Sequence, residues 1–160
     1  NSTAKSRDIW CAKDAGKAWR AWMVDGVAPS KSIGNCDAAA LARWLPPFGY
    51  TGTVHQLDGV VGGRWRMSFT NFTTGRSHSF GGEFLEVVPN ERLRYTDKFD
   101  DPNLPGEMHV TVKLKAVSVG TEVHIEQSGI PALIPAEACY LGWQQSLIQL
   151  GRLVEPDIPE

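Results

Sequence analysis

Much of what announces a function in a protein sequence is scarce in this 160-residue chain. It has only three cysteines, Cys11, Cys36 and Cys139, and they stand far apart. No CxxC or Cys/His spacing suggests zinc. The cysteines therefore read as small apolar side chains in a reducing compartment. The four histidines, His55, His78, His109 and His124, form neither HxH nor HExxH, so no metal is expected. There is no serine-nucleophile elbow, no GxGxxG and no phosphate loop, so no cofactor is expected either. Gly59 and Gly62-Gly63 read as turn glycines. No apolar run reaches the roughly 18 residues that a membrane span needs. The start, Asn1 to Arg7, is not followed by a signal-type apolar segment, and a cytoplasmic location is expected. Charge lacks a dominant sign. Sixteen basic and eighteen acidic residues leave a net charge of −2, which argues against binding to nucleic acid or an anionic membrane surface.

What is present is globular. The apolar fraction is 42% and the charged fraction 21%, the composition of a folded domain. A chain of this length buries about 70% of its unfolded surface without help from disulfides or metal. One domain over residues 1–160 is the expectation. Six tryptophans stand out: Trp10, Trp19, Trp22, Trp44, Trp65 and Trp143. Each buried indole needs a partner for its N–H.

The front of the chain reads as short elements. Ile9 to Ala12 is a candidate first strand. Asp14 to Val24 has Ala15, Ala18, Trp19 and Trp22 at helical spacing, with Asp14 as N-cap. Loop chemistry follows in Pro29, Ser30, Ser32, Gly34 and Asn35. A second helix runs from the N-cap Asp37 to Trp44, and Pro46-Pro47 stops it.

From Thr51 the apolar period falls to two. Thr53 to Leu57, Arg64 to Thr70, Ser79 to Val88, Arg92 to Phe99, His109 to Val117 and Thr121 to Gln127 read as strands. Trp65, Met67 and Phe69 share one face. Val110, Val112 and Leu114 point inward, as do Val123 and Ile125. Gly81-Gly82 predicts a bulge or bend within its strand. The last element is a helix that opens with Pro135 in its first turn. Its apolar stripe is Tyr140, Trp143, Leu147, Leu150 and Val154. Helices segregated from hairpin-linked strands make the fold class α+β. A long helix gripped by a curved sheet does not fill the space beneath it, which leaves room for a cavity.

Several stretches carry a family resemblance. They are Leu41-Ala42-Arg43-Trp44-Leu45-Pro46-Pro47-Phe48-Gly49-Tyr50, Val61-Gly62-Gly63-Arg64-Trp65, Gly82 to Leu93, Tyr95 to Asp101 and Gly142-Trp143. Together these resemble the bacterial family similar to the activator of heat-shock protein 90 ATPase. That family lies within the START-like, polyketide-cyclase-like SRPBCC superfamily. The resemblance implies a helix-grip fold, with six or seven antiparallel strands curved around the C-terminal helix. It also implies a hydrophobic cavity between sheet and helix. Residues 23–39 make a passage longer than is usual for the family.

A small hydrophobic molecule, lipid-like or polycyclic, is the expected partner. The expected cavity residues are Trp44, Phe48, Trp65, Met67, Phe69, Glu83, Tyr95, Trp143 and Leu147. Glu83 shares strand parity with Leu85 and Val87, the side expected to be buried. It is therefore the candidate ligand anchor or general acid/base, against a structural ion pair with Arg94 or Arg66. Asp97 shares a face with Tyr95 and adds a further polar point. His55 and His78 are placed to reach the cavity, whereas His109 and His124 face solvent. Two other functions compete with ligand binding: a protein-interaction module and a cyclase- or hydrolase-type enzyme. A homodimer and a chaperone contact are left open.

Overall fold

The computed structural model describes residues 15–30 and 36–155. The expected first strand at Ile9 to Ala12, Trp10 and the Asp14 cap lie outside the described residues. The chain packs as two compact units, residues 1–40 and 41–160. In the first, helix α1 spans Ala15–Asp25. Gly26, with φ +65°, turns the chain there, because a left-handed residue costs glycine least. The Val27 N–H then donates to the Ala21 carbonyl at 3.0 Å. Helix α2, Cys36–Trp44, crosses the division between the units. It begins one residue before the expected cap, which puts Asp37 inside its first turn.

The second unit holds six strands: β1 Tyr50–Leu57, β2 Arg64–Asn71, β3 Ser77–Val88, β4 Arg92–Phe99, β5 Met108–Val117 and β6 Gly120–Ser128. They form one sheet in sequence order, every neighbour antiparallel. This is a meander of hairpins, the connection that antiparallel strands allow at least length. The sheet curls into a half-barrel. Its concave side carries the core, where Trp65, Met67, Phe80 and Phe84 are buried. Leu41, Leu45, Val54, Leu57 and Val87 pack around them. The distal part of the β5–β6 hairpin is open, and Val123 is exposed there rather than buried. Among the described residues no helix is long and apolar enough to cross a membrane.

β3 departs from regular pairing, though not where the glycine pair predicts it. The register slips between Phe84 and Glu86, so Leu85 is the extra residue. The glycines serve close approach instead. A Cβ at Gly82 would lie 2.0 Å from the Thr96 carbonyl oxygen, and one at Gly81 would lie 2.3 Å from that of Trp65. The bare backbone at Gly82 lets the Trp65 indole N–H reach across β3 to the Thr96 carbonyl, at 3.0 Å.

Helix α3, Ala136–Val154, begins after Pro135, which is its N-cap rather than a first-turn residue. Its inner face is rotated from the expected stripe. Tyr140 and Val154 are exposed, and the most buried residue is Ser146. The cause lies in the segment after α2. Pro46 and Pro47 have no N–H to give, and the α2 terminus leaves carbonyls without helical partners. Side chains of α3 take these groups up. Ser146 Oγ donates to the Leu45 carbonyl at 2.6 Å. Gln149 Nε2 donates to the Pro46 carbonyl. Gln145 Oε1 accepts from the Phe48 N–H at 3.0 Å. Gly52 completes the junction, since a Cβ there would lie 2.7 Å from Pro46 Cγ and 2.9 Å from the Ala42 carbonyl oxygen.

Ser146→Ala removes the donor to Leu45 and strands a carbonyl in an apolar setting. The expected loss in urea unfolding is roughly 1–3 kcal/mol. A loss near zero would mean that another group serves that carbonyl.

Candidate functional site

A cavity of about 390 Å³ lies between the concave sheet and α3. Each strand contributes through its inward parity. β2 supplies Trp65 and Phe69, β3 His78 and Phe80, and β4 Tyr95, Asp97 and Phe99. Tyr50, Met108 and Gln127 come from β1, β5 and β6. Across from them, α3 presents Ala138, Cys139, Gly142, Trp143 and Ser146. Leu45, Pro47 and Ile134 close the wall. The α3 residues explain the space. Apart from Trp143 they are small and recur every three or four positions, so one helix face lies over the sheet without filling the gap. A Cβ at Gly142 would meet nothing within 4 Å.

The walls are ordered by edge-to-face aromatic contacts, the geometry ring quadrupoles favour. Trp65 meets Tyr95 at 5.3 Å and Phe80 at 5.8 Å. Phe69 meets Phe80 at 4.6 Å. His78 sits at the more open rim, with its ring 5.8 Å from both Phe69 and Phe80. Burial among these rings lowers its pKa from the usual 6.5. The remaining indole is anchored too. Trp143 Nε1 donates to Gln127 Oε1 at 2.9 Å, and Gln127 Nε2 reaches Met108 Sδ at 3.3 Å.

One ionisable group lies deep in this setting. Asp97 Oδ1 is enclosed by protein and has no hydrogen-bond partner among the described residues. Burial raises its carboxyl from the ordinary 3.8 to about 7, against the opposing effect of the Lys98 backbone N–H. Its influence is felt around it. Tyr95 is held well above its usual range by burial first and the Asp97 charge second. The Cys139 thiol is raised by the same two causes in the same order.

Four of the nine expected site residues line the cavity: Trp65, Phe69, Tyr95 and Trp143. Met67 lies beneath it as closed core, with no exposed surface. Trp44, Phe48 and Leu147 are outside its wall. The Trp44 and Phe48 backbones instead meet Gln149 and Gln145. Glu83 requires a correction, because it is exposed and faces away from the cavity. The bulge at Leu85 explains the error. The extra residue breaks the parity that would tie Glu83 to Val87, so Phe84 and Val87 point inward while Glu83 and Leu85 point out. The Glu83 N–H donates to Thr96 Oγ1 at 3.0 Å. The arginines offered as its partners are engaged elsewhere, Arg66 with Asp100 and Arg94 with Glu86. His55 pairs with Ser68 at 2.8 Å, away from the cavity wall. Residues 108 and 127, and the small face of α3, were not anticipated. The signal for Asp97 was present in β4, where one acid alternates between two aromatic residues on an inward face.

Comparison with known proteins fits this architecture. Residues 36–155 match the family model described as Activator of Hsp90 ATPase homolog 1-like protein. A Chromobacterium violaceum protein of known crystal structure is 45% identical, with a TM-score of 0.74. The likeness covers 97% of this chain and 92% of that one. A Rhodobacter sphaeroides protein is 25% identical over 73% of this chain and 77% of its own, with a TM-score of 0.64. An AHSA1-like protein from Aeromonas hydrophila shares the fold at 22% identity and a TM-score of 0.60, covering 94% of this chain and 85% of that one. Among curated proteins, a probable thiol:disulfide interchange protein DsbC from Bordetella parapertussis is 49% identical over 45 residues. That stretch is 28% of this chain, and the chain spans only 15% of the length of that relative.

The Asp97 environment sets a pH dependence. Because its folded pKa is raised, the native state keeps a proton that the unfolded chain releases between about pH 4 and pH 7. Stability from this group is complete below that window and lost as pH rises through it. Asp97→Asn should match the parent near pH 4 and exceed it by about 2–4 kcal/mol near pH 8. Denaturant titrations at both pH values check this; a constant difference would place the carboxylate in a wetter site.

Proposed function

The chain belongs to the Activator of Hsp90 ATPase homolog 1-like family, and on that footing we propose that it binds a small, largely apolar molecule in the cavity under α3. The observation that carries this reading is the cavity itself. Its volume, about 390 Å³, falls among small-molecule sites, which are mostly apolar with a few placed polar groups. Each 100 Å² or so of ligand surface removed from water contributes about 2.5 kcal/mol before the cost of association. Trp65, Phe69, Phe80, Phe99 and Trp143 offer the contact surface; the first four interlock as rings and Trp143 is fixed by Gln127, so that little must reorganise on binding.

A second reading draws on Asp97. A carboxyl titrating near neutral pH serves as a general acid or base, so enzymatic proton transfer is the alternative, with Asp97 in the role that Glu83 cannot fill.

The neutral fluorescent probe N-phenyl-1-naphthylamine tests the binding reading. Saturable, single-site fluorescence enhancement is expected. Gly142→Leu should abolish it, because the new side chain enters open space, while melting temperature holds or rises as a helical glycine is replaced. Undiminished binding to a well-folded Gly142→Leu protein would move the site elsewhere.

A further inference from the structure

A wholly apolar ligand would leave Asp97 unserved. Its Oδ1 is a buried acceptor with no donor, and a buried carboxylate is stable only when paired. Among the described residues neither lysine nor arginine lines the cavity. The two arginines of β4, Arg92 and Arg94, both pair with Glu86, and Arg66 pairs with Asp100.

The groups around Asp97 are few. Tyr95 shares its strand face, and Cys139 faces it from α3. Met108 sits beside it on β5. His78, Gln127, Tyr50 and Ser146 bring further polar atoms of the wall from β3, β6, β1 and α3, the Ser146 hydroxyl being engaged with backbone carbonyls. Both ends of Gln127 are taken, by Trp143 and Met108. Aromatic rings make up much of what remains.

Resting on the small-ligand reading above, we propose that the cavity selects molecules bearing a protonated amine on an apolar, ring-containing body. The ammonium group pairs with the Asp97 carboxylate where it lines the cavity and lies among the aromatic rings. A cation meets both needs of the site. It donates a charge-assisted hydrogen bond to the carboxylate, and it neutralises a charge that a neutral hydroxyl would leave unpaired. Aromatic faces attract a desolvated cation further. Carboxylate or phosphate ligands meet like charge. The raised pKa of Asp97 gives the preference a pH signature. Below neutrality the amine must first displace a proton from the carboxyl, so its affinity falls by roughly tenfold for each unit of acidification. Protonation of His78 at the rim acts in the same direction.

Three probes with one body separate the possibilities: 1-pyrenemethylamine, 1-pyrenemethanol and 1-pyreneacetate. Binding is read by energy transfer from tryptophan and by calorimetry. At pH 8 the amine should bind at least about tenfold more tightly than the alcohol, and the acetate most weakly. Asp97→Asn should erase the amine's advantage and leave the alcohol within about threefold of its wild-type affinity. In the unaltered protein, acidification from pH 7 to pH 5 should weaken the amine alone, a readout that does not depend on the variant folding. Equal affinity for amine and alcohol, or tighter alcohol binding, overturns the amine assignment and leaves the small-ligand reading standing. Failure of all three probes, together with failure of N-phenyl-1-naphthylamine, overturns both.

Discussion

The site depends on how α3 is fastened to the segment after α2. Two consecutive prolines remove two donors from the backbone, and the end of α2 leaves carbonyls facing inward. Buried carbonyls in that position must find donors or destabilise the fold. Ser146 and Gln149 provide them, and Gln145 takes the Phe48 N–H in return. These polar contacts fix both the rotation and the height of the helix over the sheet. Hydrophobic burial alone would have turned Leu147 and Tyr140 inward, because burial is non-directional and favours the larger side chains.

The rotation has a consequence for the cavity. Turning Ser146 inward also brings Cys139 and Gly142 to the inner face, all of them small. Only Trp143 reaches far, and Gln127 holds its indole. The cavity is therefore a product of helix orientation together with small side chains, set against a sheet whose concave face is crowded with rings. Asp97 is half-buried on the inner face because β4 alternates regularly through Tyr95, Asp97 and Phe99, and the register with β5 sets Asp97 beside Met108. A strand that buries two aromatics buries whatever stands between them on the same face. Here it is a carboxyl that titrates near neutrality.

Particular residues show where the sequence could be read and where it could not. Trp65, Phe69 and Tyr95 were legible because strict alternation over an unbroken strand projects neighbours to one face. Strand parity alone ties Glu83 to the inner face with Val87, because the sequence does not reveal the place of the bulge that resets it. Gly81 and Gly82 drew attention to that strand, yet they serve close contacts with Trp65 and Thr96, and the extra residue is Leu85. The inner face of α3 was hidden for another reason. Its polar positions become comprehensible only once the unpaired groups around Pro46 and Pro47 are known to lie opposite.

By itself, the sequence determined the six strands and three helices from Ala15 onward, their order, the α+β class and the family. Those follow from local periodicity, turn chemistry and motifs carried in contiguous residues. Tertiary structure alone decided the rotation of α3, the volume left beneath it and the choice of Asp97 over Glu83 as the buried acid. Each of these turns on a contact between residues distant along the chain: Ser146 with Leu45, Trp65 with Thr96, Asp97 with the space facing Cys139. Such contacts obey hydrogen-bond satisfaction and strand register. Both are properties of paired elements, which no single segment encodes.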